Sequence, residues 1–157
     1  MGRAGTLGLL ERYAARLDQG KGGIVFLGGE SGAGKTRVAV ELGTRAVKAG
    51  RRVLTAVCPD PHGRGQALLA AIQPVLDTVA DRCREMGETE TARLLGPRRE
   101  LLARHAPSIA DLPGSCAGEP PEPTRGRAQL FGELLETLKA LASEPTILII
   151  DDGHWAD

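Results

Sequence analysis

The chain has 157 residues, 20 basic and 20 acidic side chains, a formal net charge of zero and 41% hydrophobic content. That length suits one domain with a core, and the balanced charge supplies no electrostatic footprint for DNA, RNA or an anionic membrane. No stretch is long and apolar enough to span a bilayer and no signal-peptide core opens the chain, so a soluble, cytoplasmic protein without a membrane partner is expected.

Met1 to Thr6 matches an N-myristoylation pattern, which is assigned to chance. Leu7, Leu9, Leu10 and Leu17 mark a first helix. Residues 23–28 follow, and Gly23-Ile24-Val25-Phe26-Leu27 is a short apolar run suited to a buried parallel strand. Next comes Gly29-Glu30-Ser31-Gly32-Ala33-Gly34-Lys35-Thr36, a complete G-x-x-x-x-G-K-S/T phosphate-binding loop. Each residue type in it has a physical task. Glycines let successive backbone N–H groups curl around phosphate oxygens, and the helix that follows adds its positive dipole end. Lys35 is expected to reach the β- and γ-phosphates and Thr36 to coordinate Mg²⁺. Val38, Val40, Leu42, Ala46 and Val47 continue as a helix that Gly50 closes.

Residues 52–57 read as a second buried strand, ended by a Cys58-Pro59-Asp60-Pro61 turn. Gln66 to Met86 reads as a helix carrying Leu68, Leu69, Ile72, Val75, Leu76 and Val79, with a kink expected at Pro74. Thr89 to His105 reads as another helix, interrupted at Gly96-Pro97. Five of the ten prolines fall between Pro107 and Pro123, so residues 106–123 are expected to be a loop or poorly ordered connector. Thr124 is placed to cap a helix bearing Leu130, Leu134, Leu135, Leu138 and Leu141. The third strand, residues 146–151, ends in Asp151 and Asp152. Acids beyond the carboxyl end of such a strand belong beside the phosphate loop. Asp151 is the expected Mg²⁺ partner, and Asp152 is placed to orient or deprotonate an attacking water.

Other constellations fail. Ser31 lacks the final glycine of a G-x-S-x-G elbow, and no G-x-G-x-x-G follows the first strand. His62, His105 and His154 have no ligand-like spacing, and Cys58, Cys83 and Cys116 contain no C-x-x-C pair, so idle or buried thiols are expected. His154 and Trp155 follow the acids, where Trp155 either packs the turn or touches nucleotide. Arg98-Arg99-Glu100 reads as a solvated helix face.

Asp151-Asp152-Gly153-His154-Trp155-Ala156-Asp157 resembles the D-D-x-H-W-A-D signature of a bacterial AAA-type P-loop ATPase domain, origin-recognition-like and STAND-like. That domain is similar to the one in large MalT-like LuxR-family regulators, and also occurs attached to adenylate cyclases and Ser/Thr kinases. Gly2-Arg3 with the first helix and Gly22-Gly23 resembles its G-R-E…L opening, although Ala4 replaces the usual acid. Arg127-Ala128-Gln129-Leu130-Phe131 through Leu141 resembles its helix before the second motif. The likeness is strong over residues 22–50 and 126–157 and loose between them. Sixteen arginines against four lysines, with abundant Ala and Gly, agree with a GC-rich bacterial source.

The resemblance implies an α/β fold, a three-layer α/β/α P-loop NTPase with a parallel sheet in which a sensor-1 strand separates the strands at 23–28 and 146–151. Only three strands are legible, so residues 1–157 read as the N-terminal part of such a domain: a Walker A unit at 22–50, the connector at 106–123, and a helix plus Walker B strand at 124–157. Sensor-1, sensor-2 and arginine-finger residues are expected beyond Asp157. Strands left without that neighbour would expose unpaired backbone groups, so marginal stability is expected of the isolated chain.

The implied cofactors are ATP and Mg²⁺. One function is a nucleotide-dependent switch in a signalling or transcriptional regulator, with slow hydrolysis to ADP and phosphate, biasing effector domains of the same longer chain. Another is an AAA-type ATPase turning over for mechanical or assembly work; a third is a truncated fragment inactive alone. Lys35 and Asp152 are the catalytic candidates. Asp152 is one methylene shorter than the Glu common after such an aspartate, which favours slow turnover. Self-association is left open, and no direct nucleic-acid contact is expected of this segment.

Overall fold

The computed structural model describes residues 3–60, 69–114 and 126–155. Met1, Gly2, His62, Cys116, Thr124, Ala156, Asp157, the start of the helix expected from Gln66 and the second half of the connector, 115–123, lie outside these residues. In chain order the elements are α1 (Arg3–Ala15), α2 (Lys35–Lys48), β1 (Arg52–Val57), α3 (Gln73–Met86), α4 (Glu88–Leu94), α5 (Arg99–Ala103), α6 (Pro107–Ala110), α7 (Gly126–Leu141) and β2 (Thr146–Asp151). The chain divides into two units, Met1–Thr55 with Glu144–Asp151, and Ala56–Ser143 with Asp152–Asp157. The class is α/β, with a two-stranded parallel sheet of β1 beside β2.

In the first unit α1 lies along α2 because each presents an apolar stripe at helical spacing. Leu7 and Leu10 of α1 meet Val38 of α2, with Leu27 and Leu42 packed against them. The 3-10 turn Arg16–Gln19 extends α1 and stops at Gly20. At its far end α2 closes in a Schellman motif: Gly50 N–H donates to Val47 O at 2.9 Å and Arg51 N–H to Ala46 O at 3.0 Å. Gly50, at φ +77°, takes the left-handed position there, as its place after the helix predicts. The helix approaches the sheet at Gly43, where an added Cβ would meet Ile149 Cδ1 at 3.4 Å and Val53 Cγ1 at 3.5 Å.

The second unit is helical. Val75, Leu76, Val79, Ala80 and Cys83 form the buried face of α3, joined in the core by Leu94, Leu95, Leu102, Ile109, Leu130, Leu134 and Leu141. Thr137, fully buried, donates its hydroxyl to Glu133 O at 2.9 Å and so carries no orphaned donor. Glu90 of α4 accepts two bonds from Arg93 (both 2.8 Å) and one from Arg82 of α3 (2.6 Å). Arg93 also donates to Ala140 O at 2.8 Å, fastening α4 to the last turn of α7.

Several expectations change against this structure. The strand expected at 23–28 does not form: those residues carry no ladder, Ile24 is 83% and Phe26 91% exposed, and two strands exist among the described residues where three were expected. A strand needs a hydrogen-bonded neighbour, and apolar composition alone cannot supply one. Pro74 does not kink α3. It lies in the first turn, where its missing N–H has no intrahelical acceptor to lose. The break at Gly96-Pro97 is present as the 3-10 turn Gly96–Arg98. Within the connector, Pro107–Ala110 forms the single turn α6. Leu135 in α7 is 51% exposed, outside the buried stripe.

Arg98 and Arg99 are not a solvated face. Arg98 donates to Arg93 O and Leu94 O at 3.2 and 3.1 Å, satisfying carbonyls at the end of α4. Arg99 clamps the turn after α6 through Leu112 O, Pro113 O and Gly114 O. A helix C-terminus presents carbonyls without partners, and an arginine nearby satisfies them. Cys58 and Cys83 are free and buried, as expected of idle thiols, and burial pushes the Cys83 thiol up from its ordinary value.

Candidate functional site

The site is built from the segment that leaves Gly20, passes through residues 21–28 and turns into α2. Its approach is held by local bonds, Gly20 N–H to Leu17 O at 2.9 Å and Lys21 N–H to Arg16 O at 3.0 Å. Leu27 is the partly buried residue of the apolar run, seated on the Leu7, Leu10 and Val38 cluster.

From Gly29 to Thr36 the loop has the form its glycines allow. Gly32 and Gly34 adopt φ of +77° and +86°, the left-handed region that costs a residue with a Cβ about 1–2 kcal/mol. Ala33 N–H donates to Glu30 O at 3.2 Å, closing the loop's internal turn. Gly34 is the residue before α2, and its carbonyl accepts Val38 N–H at 3.1 Å. The N–H groups of Lys35, Thr36 and Arg37 therefore belong to the helix's first turn, which has no intrahelical acceptor for them. They converge with the positive end of the helix dipole on one point of the surface.

Lys35 does something the motif alone does not announce. Its Nζ donates to Gly29 O at 2.9 Å and to Glu30 O at 3.0 Å, so the side chain bridges back across its own loop. An ammonium has three donors, and two are used in this way. The glycine-rich backbone is thus pre-curved with its cation already at the mouth. Ser31 and Thr36 are exposed, and the Thr36 hydroxyl is available to a ligand. Backbone N–H groups, one ammonium and a helix N-terminus form a donor set that fits a phosphate chain.

Asp151 is the last residue of β2 and half-buried, in the same unit as the loop. Its carboxylate, like the Thr36 hydroxyl, is a hard oxygen donor of the kind Mg²⁺ takes. No group of three or more His, Cys, Asp or Glu among the described residues forms a metal cage, which that mode of binding does not require. Asp152 falls in the other unit and is exposed. Its φ of +53° is left-handed, a conformation that Asp tolerates better than most residues. Trp155 N–H donates to Asp152 O at 2.9 Å, His154 Nδ1 lies 4.0 Å from Asp152 Oδ1, and the His154 and Trp155 rings are 4.6 Å apart. These contacts build the turn after β2 from its own residues. His105 is half-buried, and its backbone carbonyl accepts a bond from Gln73 at 2.5 Å.

A family model described as an AAA ATPase domain matches residues 1–157. The chain belongs to this family. No curated protein and no solved structure matches it. Membership of the AAA ATPase family points to nucleotide binding and agrees with the donor set at the loop. Among the described residues no helix is long and apolar enough to cross a membrane. What sequence reading missed is the self-bridging of Lys35 and the contribution of α1. Residues such as Asp18 and Arg51, 33 positions apart, carry no local signal of their pairing.

Proposed function

We propose that this AAA ATPase domain binds ATP with Mg²⁺ through Gly29 to Thr36 and acts as a nucleotide-dependent switch within a bacterial signalling or transcriptional regulator. The observation that carries this reading is the pre-curved loop, with Gly32 and Gly34 left-handed and Lys35 bridging Gly29 and Glu30 at its mouth. Backbone N–H groups of Gly29, Glu30, Ser31, Gly32 and Gly34 and of the first turn of α2 receive phosphate oxygens, while Ala33 shapes the cradle through the turn its N–H closes on Glu30. Lys35 adds a charge-assisted bond to the terminal phosphates. Thr36 and Asp151 hold Mg²⁺, which neutralises charge on the phosphates when bound. Asp152 orients or deprotonates an attacking water, and its short carboxylate favours slow hydrolysis to ADP and phosphate. The partners in this reading are ATP or ADP and effector domains of the same polypeptide. The MalT-like, cyclase-linked and kinase-linked domains that the terminal motif resembles are the basis for the switch.

The test is calorimetric Mg-ATP binding by wild type and Lys35→Ala. Removing a charge-assisted hydrogen bond costs about 1.5–3 kcal/mol, so affinity is expected to fall about tenfold or more. Equal binding by both proteins would remove the loop from the mechanism.

A further inference from the structure

We infer that Asp18 and Arg51 are positioning residues for the phosphate loop, pinning the chain that approaches it to the far end of the loop's own helix. The inference rests on the nucleotide-binding reading above for its functional consequence, and on the following geometry for its mechanism.

The loop's approach is poorly held by the usual means. Residues 21–28 make no strand ladder, and Ile24, Val25 and Phe26 are 83%, 44% and 91% exposed, so neither backbone pairing nor burial of those side chains fixes their course. What holds the segment lies at its ends. Leu27 is seated on Leu7, Leu10 and Val38 just before the loop. At the other end, Asp18 in the 3-10 turn accepts a two-pronged bond from Arg51, Nε to Oδ1 at 3.1 Å and a terminal nitrogen to Oδ2 at 2.6 Å.

Arg51 is well chosen as an anchor. Its backbone N–H closes the Schellman motif of α2 on Ala46, and the next residue begins β1, so its backbone is fixed by helix and sheet together. An exposed ion pair of one bond contributes little to stability. This pair differs: the contact is a fork with two parallel bonds, and the Arg51 side chain is only 15% exposed. A second tie runs parallel to it, Arg45 of α2 to Glu11 of α1 at 2.9 Å. The chain between Asp18 and Lys35 is therefore tethered at both ends to one rigid body, α2. Restricting the ends of a flexible segment removes conformations that would have to be lost on ligand binding. The fork thus pre-organises the loop for phosphate without touching it.

The experiment is a double-mutant cycle of Asp18→Asn, Arg51→Gln and the pair, on the full 157-residue chain. Amide hydrogen exchange of peptides spanning residues 28–36 is read without nucleotide, and Mg-ATP affinity is read by calorimetry. Expected are several-fold faster exchange in each single variant and affinity about three- to tenfold weaker, with the double variant no worse than either single. Asp18→Glu, which keeps the charge, restores exchange toward wild type. Unchanged loop exchange in Asp18→Asn, or additive effects in the pair, would overturn the pin. Exchange is read on the empty chain, so it decides the pin even if Lys35→Ala and wild type bind Mg-ATP equally, the result that would instead remove the nucleotide reading.

Discussion

Glu90 illustrates how much a single side chain can depend on its partners. The Arg93 fork and the Arg82 bond hold its carboxyl down to about 2, against an ordinary value of 4.5. A carboxylate whose value is depressed in the folded state contributes stability above its unfolded value and loses it as pH falls through the folded one. The contribution of Glu90 is therefore complete above about pH 5 and disappears between 4.5 and about 2. In urea melts, the gap between wild type and Glu90→Gln is expected to close across that window. A gap that stays constant would mean the three bonds contribute nothing specific. Lys35 belongs at the same scale: its two bonds to loop carbonyls suggest that Lys35→Ala loosens the empty loop as well as losing a phosphate contact.

Among the elements, α2 has the most demanding place. Its first turn follows the glycine loop, its middle touches the sheet, and its last turn carries the Schellman motif from which Arg51 reaches Asp18 in the turn after α1. Gly43 allows the middle contact. A Cβ there would meet Ile149 and Val53 at 3.4 and 3.5 Å, ordinary van der Waals distance, while anything larger would press into the strands. Gly43→Ala is expected to match or exceed wild-type stability, since a mid-helix alanine gains about 1 kcal/mol over glycine. Gly43→Leu is expected to lose about 1–3 kcal/mol through overpacking. Chemical denaturation of the two variants checks both, and a leucine variant as stable as wild type would show that α2 can move away from the sheet freely. The segment at 21–28 teaches the opposite lesson. Apolar run and turn residues are both there, yet no strand results, because strand formation belongs to a pair of segments and not to one.

At the scale of the whole molecule, zero formal charge meets a surface with large apolar side chains. Ile24, Phe26, Val40, Val47, Phe131 and Leu135 are all exposed, and the isoelectric point is about 6.8. Charge repulsion is weakest there, so light scattering at low ionic strength is expected to peak near pH 6.8 and to fall on either side. Phe26→Ser is expected to lower that peak while shifting stability by no more than about 0.5 kcal/mol, since the ring buries almost nothing. An unchanged peak would place self-association on another face.

Legible in the residues alone were the glycine loop's left-handed form, the helix after it with its glycine stop, the break at Gly96-Pro97 and the strand ending in Asp151. The first three are local matters, since left-handed glycines and a proline without an N–H act within a few residues; the strand also needed its neighbour β1. The AAA family was legible for the same reason, since its motifs are short and contiguous. Tertiary contacts, by contrast, settled that residues 23–28 lack a ladder, that Arg98 satisfies carbonyls at the end of α4 and that Arg99 clamps the turn after α6. They also settled that Asp18 meets Arg51 across 33 positions. Each of those depends on which distant group arrives as a hydrogen-bond partner, and no property of the residue itself records that.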